Sequence, residues 1–264
     1  MSCFRIMDFN YAFQGGTQFL PSTEDPNFPA ENLRNPIRSK VWRSDGIDPA
    51  GEWVTVDLAT NEAINSVVVV WDHNEGIKLT NSAVVKIQAS STNFWSSPPV
   101  DVTLTIDQVS LIASHYFTTA QSYRYWRVLV IDPTNDIGYI EIPKIIICNA
   151  TELVQPPEVG FGFKIEDTTR ISNTAFLNHY ADVYPNRKSL SLNWSVMLYS
   201  DWETLAQIFE RKGTAGVFAV VIDPDEVLFD KDRFFLYCRF ASSLDTTQHV
   251  RDLFDQKIEL VEVF

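Results

Sequence analysis

From Trp53 to Cys148 the chain reads as one strand after another with no helical stretch between them, and nothing else in the sequence constrains the fold as tightly. Trp53-Val54-Thr55-Val56-Asp57-Leu58 is rich in β-formers, and Val67 to Trp71 is a continuous apolar run suited to a buried strand. Val85 to Ala89 and Val102 to Ile106 alternate apolar with polar, a two-residue period that lays one face on a core. Tyr125 to Ile131 is a further strand, closed by Asp132-Pro133. Ile140 to Cys148 comes next, and Pro143 within it cannot donate to a ladder, so it marks a bulge or an edge. Short strands at near-regular spacing predict an antiparallel sandwich or jelly roll.

The pattern changes after Asn149. Thr151 to Glu158 contains Pro156 and Pro157, which stiffen a connection and donate no backbone hydrogen bond, so 151–159 reads as a Pro-rich linker. Beyond it, Leu190, Leu192, Trp194, Val196 and Leu198 alternate with polar residues and Met197 as a strand with one buried face. Ser200-Asp201-Trp202-Glu203 has the form of a capping box, in which Ser200 caps the first turn and Glu203 reaches back. Trp202, Leu205, Ala206 and Phe209 form one apolar stripe, and Gly213 supplies the stop. Val217 to Ile222, Phe234 to Phe240 and Ile258 to Phe264 read as strands, the last with its alternation broken at Leu260-Val261, as a bulge would do. The expected fold class is therefore mainly β: an antiparallel sandwich or jelly roll over 1–150, the linker over 151–159, and a small α+β domain, a sheet with one helix, over 160–264.

Composition narrows the function. Eighteen Phe, nine Tyr and seven Trp in 264 residues exclude intrinsic disorder. No apolar run approaches the roughly 20 residues that cross a bilayer, so no membrane insertion is expected. The start, Met1-Ser2-Cys3-Phe4-Arg5, lacks a charged stretch followed by an apolar one, so no signal peptide is expected, and the sequons at Asn149 and Asn193 read as chance. Thirty-four acids against 21 bases, a net charge of -13, would repel phosphates, which argues against sequence-independent nucleic-acid binding. Cys3, Cys148 and Cys238 are an odd, widely spaced set, against a disulfide framework or a thiolate zinc site, and the last two read as small buried hydrophobes. No metalloprotease, nucleophile-elbow or phosphate-loop motif is present. Asp132 and Asp136 could serve as an acid–base pair, but Asp132-Pro133 also reads as a turn, and no enzymatic activity is expected.

Three places could bind something. The turn Trp71-Asp72-His73-Asn74 combines an aromatic platform with acceptors and amide donors, the chemistry a saccharide site needs; His73 and Asn74 could equally satisfy turn backbone groups. Trp95, in Asn93-Phe94-Trp95-Ser96-Ser97-Pro98-Pro99, sits in a loop where a large aromatic can be exposed. Asp45 and Asp48, around Gly46, suit a structural calcium, though the spacing of a dedicated calcium loop is missing and a plain turn is the simpler reading. No cofactor is required by any of them.

The first half resembles the discoidin, or coagulation-factor C-type, branch of the galactose-binding jelly rolls. The resemblance is carried, in order, by Pro29 to Leu33, Val41-Trp42-Arg43-Ser44, Trp53 to Leu58, Ile64 with Val67 and Val69, Ile87 to Thr92 leading to Trp95, Tyr123 to Val128, and Gly138-Tyr139-Ile140-Glu141-Ile142. Trp42, Trp53, Trp95 and Trp126 could stack on sugar rings, but that pattern implies core or core-edge positions for Trp42, Trp53 and Trp126. Within the branch, Asn32-Leu33, Trp42-Arg43-Ser44, His73-Asn74 and Gly138 to Ile142 look most like bacteriophage and prophage tail proteins. Arg187, Trp194, the helix after Ser200 and Asp223-Pro224 resemble, more loosely, the sheet-and-helix unit of distal-tail and tail-tube proteins. The resemblance implies a non-enzymatic structural component of a tail tip, made in the host bacterial cytoplasm and built into the virion. It would assemble as a homo-oligomeric ring against neighbouring tail proteins, presenting a carbohydrate-binding-like module to host surface glycan. The alternative is a free-standing lectin that recognises such a glycan.

Overall fold

The computed structural model describes residues 4–71, 79–107, 112–158, 161–173, 179–182, 186–222 and 235–263. It is mainly antiparallel β with one α-helix, and its chain divides into two compact units. The first strand, β1 (Phe4–Met7), does not belong with its neighbours in sequence: residues 4–8 fall in the α+β unit, and the jelly roll runs from Phe9 to Thr151. The expected range of 1–150 had joined this strand to the jelly roll.

In the jelly roll, β2 (Gln18–Pro21), β3 (Trp42–Arg43), β4 (Glu52–Val70), β5 (Val84–Ser90), β6 (Val100–Asp107), β7 (Ile112–Ile131), β8 (Glu141–Ile142) and β9 (Lys144–Cys148) succeed one another along the chain. The main sheet runs β2-β4-β7-β5-β6, with β9 joined to β4, and β3 pairs with β8. β4 and β7 are long enough to serve both layers. Glu52 to Asp57 pairs with Tyr125 to Val130, whereas Ser66 to Val70 pairs with Ile112 to Tyr116, and the register shifts between the two stretches. The corner is turned at Ala59, whose φ of +67° is held by its amide donating to the Asp57 carboxylate at 2.9 Å.

The alternation seen in the sequence decides which face is filled. Val54, Val56, Val85, Ile87, Trp126, Val128 and Val130 point inward from one layer, and Val67, Val69, Ala113, Ile145 and Ile147 meet them from the other. Each valine and isoleucine among them contributes about 1.5–3 kcal/mol on burial. Trp42 closes the core with no exposed surface. Pro143 breaks β8 from β9, letting one run of chain pair first with β3 and then with β4.

The α+β unit contains β1, β10 (Thr151–Glu152), β11 (Gly162–Glu166), a separate hairpin of β12 (Arg170–Asn173) and β13 (His179–Asp182), β14 (Arg187–Leu198), α1 (Tyr199–Lys212), β15 (Phe218–Ile222), β16 (Phe235–Phe240), β17 (Asp245–Val250) and β18 (Leu253–Glu262). Its sheet runs β10-β1-β15-β16-β18-β14-β11, with β17 on β18. Phe4 on β1 meets Trp194 on β14 edge-to-face at 5.9 Å across three intervening strands, so the sheet curls around its core.

Three local expectations need correction. The stretch around Pro156 is no free linker: the amides of Val154 and Gln155 donate to the Asp201 carboxylate at 3.2 and 2.8 Å, and the Trp194 indole N–H donates to the Gln155 carbonyl at 3.2 Å. That docking also replaces the expected capping box. The helix starts at Tyr199, Ser200 lies inside it, and Leu198, the residue before it, makes no side-chain cap. The bulge falls on β14 between Trp194 and Met197, while Leu260 and Val261 stay in register. Gly213 does end the helix, at φ +56°, its amide donating to the Phe209 carbonyl. Asp223-Pro224 lies outside the described residues.

Candidate functional site

The inward residues of β4, β5 and β7 leave their alternates on the outer face of the jelly-roll sheet. There Thr55 and Gln88 are buried beneath their neighbours, Trp53 and Arg127 are half-buried and Asp101 is exposed. One row of that face crosses four strands, with Thr55 opposite Arg127, Arg127 opposite Gln88, and Gln88 opposite Asp101. Directly paired side chains of this kind lie close enough to bond. The Arg127 guanidinium donates twice to the Gln88 carbonyl oxygen, through Nε at 2.8 Å and through Nη2. The Gln88 amide donates to Asp101 at 3.2 Å, and Lys86 lies 3.5 Å from the same carboxylate.

The loop after β5 folds back over this row. Its residues 91–97 are exposed apart from Trp95, which is half-buried, and Phe94 is 66% exposed. The Trp95 indole N–H donates to the Asn93 side chain at 2.7 Å, fixing the ring. The Arg127 guanidinium carbon lies 4.4 Å from the Trp95 ring centre and 5.6 Å from that of Trp53, which projects from the adjacent row of β4. Burial lowers the Arg127 pKa from its ordinary value and Asp101 opposes that shift.

Two other arginines of this unit are built differently. Arg43 stacks on Phe28 at 3.9 Å and Tyr139 at 4.2 Å, and Arg124 on Tyr125 at 4.8 Å. Each has its own carboxylate: Arg43 donates to Glu141 at 2.6 Å, and Arg124 to Asp57 at 2.7 Å. The hydrogen bond from Arg124 holds the Asp57 carboxyl below the usual carboxylate range. No carboxylate of the described residues lies within ion-pair distance of Arg127.

The residues singled out in the sequence are scattered. Trp71 is 2% exposed in the core, so its indole has no open face to stack on a ligand, and the platform expected there does not fit its placement. Asp72, His73 and Asn74 lie outside the described residues. Trp95 alone of them is on the outer sheet face, against Arg127. Asp45 is exposed, and the Asp48 carboxylate accepts from the Ala50 amide at 2.8 Å. No cluster of three His, Cys, Asp or Glu suited to a metal occurs among the described residues. Asp132 is buried and caps a turn, accepting from the Thr80 amide at 2.9 Å. Cys148 and Cys238 are fully buried, and burial pushes the Cys238 thiol well up.

Sequence reasoning missed Gln88 and Arg127, and it weighed Trp53 as a residue that could stack on a sugar but favoured the core or core edge. The signal for Trp53 was present: with Val54, Val56 and Leu58 inward, Trp53 must point out. The α+β unit has a groove of about 400 Å³ beside Lys164, Arg187, Ser189, Ser191 and Glu259. Its cations, Lys164 and Arg187, are both neutralised by Glu166.

No protein-family model matches the chain, and no curated protein matches it. Solved structures similar to it include the family 32 carbohydrate-binding module of C. perfringens NanJ in complex with galactose, at 11% identity and a TM-score of 0.43, covering 55% of this chain and 99% of that one. The lectin domain of lectinolysin complexed with Lewis B antigen is 16% identical, with a TM-score of 0.43, over 54% of this chain and 98% of its own. A fucose-binding module from Streptococcus pneumoniae is 13% identical, with a TM-score of 0.43, over 53% and 98%.

Proposed function

We propose that the chain is a non-enzymatic saccharide-binding protein whose jelly roll receives its ligand on the outer sheet face at Trp95. The observation that carries this reading is the placement of Trp95 and Phe94 beside the row of Arg127, Gln88 and Asp101. An indole face stacks on the C–H face of a pyranose, and the guanidinium and carboxylate, positioned by the buried Gln88 amide between them, pair with its hydroxyls. A glycan array probed with the wild-type chain and with Trp95→Ala tests it. Wild type should bind at roughly millimolar affinity or better, about 4 kcal/mol, and the variant should lose that signal. An array dark for the wild type, or unchanged by the substitution, would remove the proposal.

A second role, compatible with the first, is favoured by the edge of the other sheet. Among the described residues β11 pairs only with β14, and Ile165 on it is 60% exposed. An open strand edge is a template for pairing with another chain. On this reading the α+β unit assembles copies into a ring of a phage tail tip, within the virion and against neighbouring tail proteins, and carries the jelly roll as an insertion between β1 and β10. Electron microscopy of the purified chain should show closed rings; a dispersed monomer at high concentration, absent from any tail particle, would end it.

A further inference from the structure

We infer that the saccharide taken by the Trp95 face is acidic, its carboxylate received by the Arg127 guanidinium; this rests on the saccharide-binding function proposed for that face. Arg127 is held as a receptor for an anion, with Asp101 acting on it only from beyond ion-pair distance among the described residues. Stacking against Trp95 and Trp53 fixes the plane of the guanidinium, and Gln88 fixes its rotation through one neutral oxygen. Of its five N–H donors, the two on Gln88 are accounted for. Arg43 and Arg124 show how this unit builds a structural arginine: aromatic contact plus a carboxylate within 2.7 Å. At Arg127 the aromatic contact is there and the position of the carboxylate is taken by an amide.

The surrounding charge agrees. Lys86 and Arg127 face the single carboxylate of Asp101 across the row, leaving a local positive excess on a chain whose net charge is -13. Planar bidentate pairing with a carboxylate is what a guanidinium does better than any other side chain, and the partly desolvated position strengthens it. Trp95 would stack on the ring that bears the acid.

Calorimetric titration with oligogalacturonate and with its carboxyl-reduced analogue compares the same sugars with and without the charge. A second arm, sialyllactose against lactose, tells a uronate from a sialic acid as the source of the carboxylate. At least tenfold tighter binding of the acid in either arm is expected, weakening as salt rises, with Arg127→Met bringing the acid down to the neutral sugar. Arg127→Lys should keep part of the preference, and its circular dichroism melt guards against misfolding; the wild-type comparison needs no variant at all. Equal binding of acidic and neutral sugars would overturn the acidic ligand and leave saccharide binding standing. A preference that survives in folded Arg127→Met would overturn the part given to Arg127. No binding in either arm, with a dark array, would overturn both this and the proposal it rests on.

Discussion

Lys144 on β9 is fully buried, and its ammonium donates to the Lys40 carbonyl at 3.0 Å. Burial, with a smaller contribution from neighbouring Arg38, brings its pKa from 10.5 down to about 7. The unfolded chain keeps this proton up to pH 10.5, whereas the folded chain releases it near 7. Between those values the unfolded state binds more protons, so stability rises with pH across the window and is flat below it. Three and a half units at about 1.36 kcal/mol each set an upper bound near 5 kcal/mol; local opening that wets the ammonium brings the expected gain to about 2–5 kcal/mol. Urea unfolding of the wild type and of Lys144→Met at pH 7, 8, 9 and 10 measures it. The Cys238 thiol and Tyr11 hydroxyl, both pushed up by burial, act in the opposite sense at alkaline pH, but they are present in both chains and cancel in the difference. Over the narrower range from pH 7 to 10, wild-type stability minus variant stability should climb by about 2–3.5 kcal/mol. A difference flat to within about 0.5 kcal/mol would refute the buried, uncompensated ammonium.

Two further predictions concern backbone and capping. Gly51 has φ +105°, and an added Cβ would lie 2.8 Å from Ile131 and Leu129 side-chain carbons and 2.9 Å from the Val130 carbonyl oxygen, so Gly51→Ala should cost about 2–5 kcal/mol. Gly213→Ala, at φ +56° with open space around it, should cost about 1 kcal/mol, and thermal melts of the two variants should rank them in that order. Asp201→Ala strips the buried acceptor from the Val154 and Gln155 amides and should cost about 2–3 kcal/mol in urea unfolding, with Asp201→Asn recovering about half. A loss below about 0.5 kcal/mol would mean that segment is not held by this carboxylate.

What the sequence disclosed was what short-range pattern can encode. The alternation of Val54, Val56 and Leu58 gave the inward face of β4, and the uninterrupted run from Val67 to Trp71 meant a strand covered on both sides. That run already argued for a buried Trp71, and reading it as a ligand platform set a local polar turn above the stronger periodic signal. Trp53, placed at the core or core edge by the resemblance, is half-buried, and the parity of its own strand tells which way it faces. Other features were not legible because their partners are distant. Phe4 pairs with Ile222, and nothing near Phe4 announces that. The prolines around 156 suggested a linker because their hydrogen-bonding partners, Asp201 and Trp194, lie some 40 residues on. The Trp95–Arg127 contact exists because a loop folds back over a sheet row, an arrangement with no sequence period.

The most direct test of the saccharide face is a nitrogen–proton correlation spectrum of the indole N–H groups, recorded while the strongest-binding saccharide from the array is titrated in. The chain has seven tryptophans, and single substitutions assign the signals of Trp95, Trp53 and Trp71. The Trp95 and Trp53 signals should shift together in a saturable way while buried Trp71 stays still. A Trp71 signal that moves while Trp95 does not would place the site at the Trp71 turn and contradict the account.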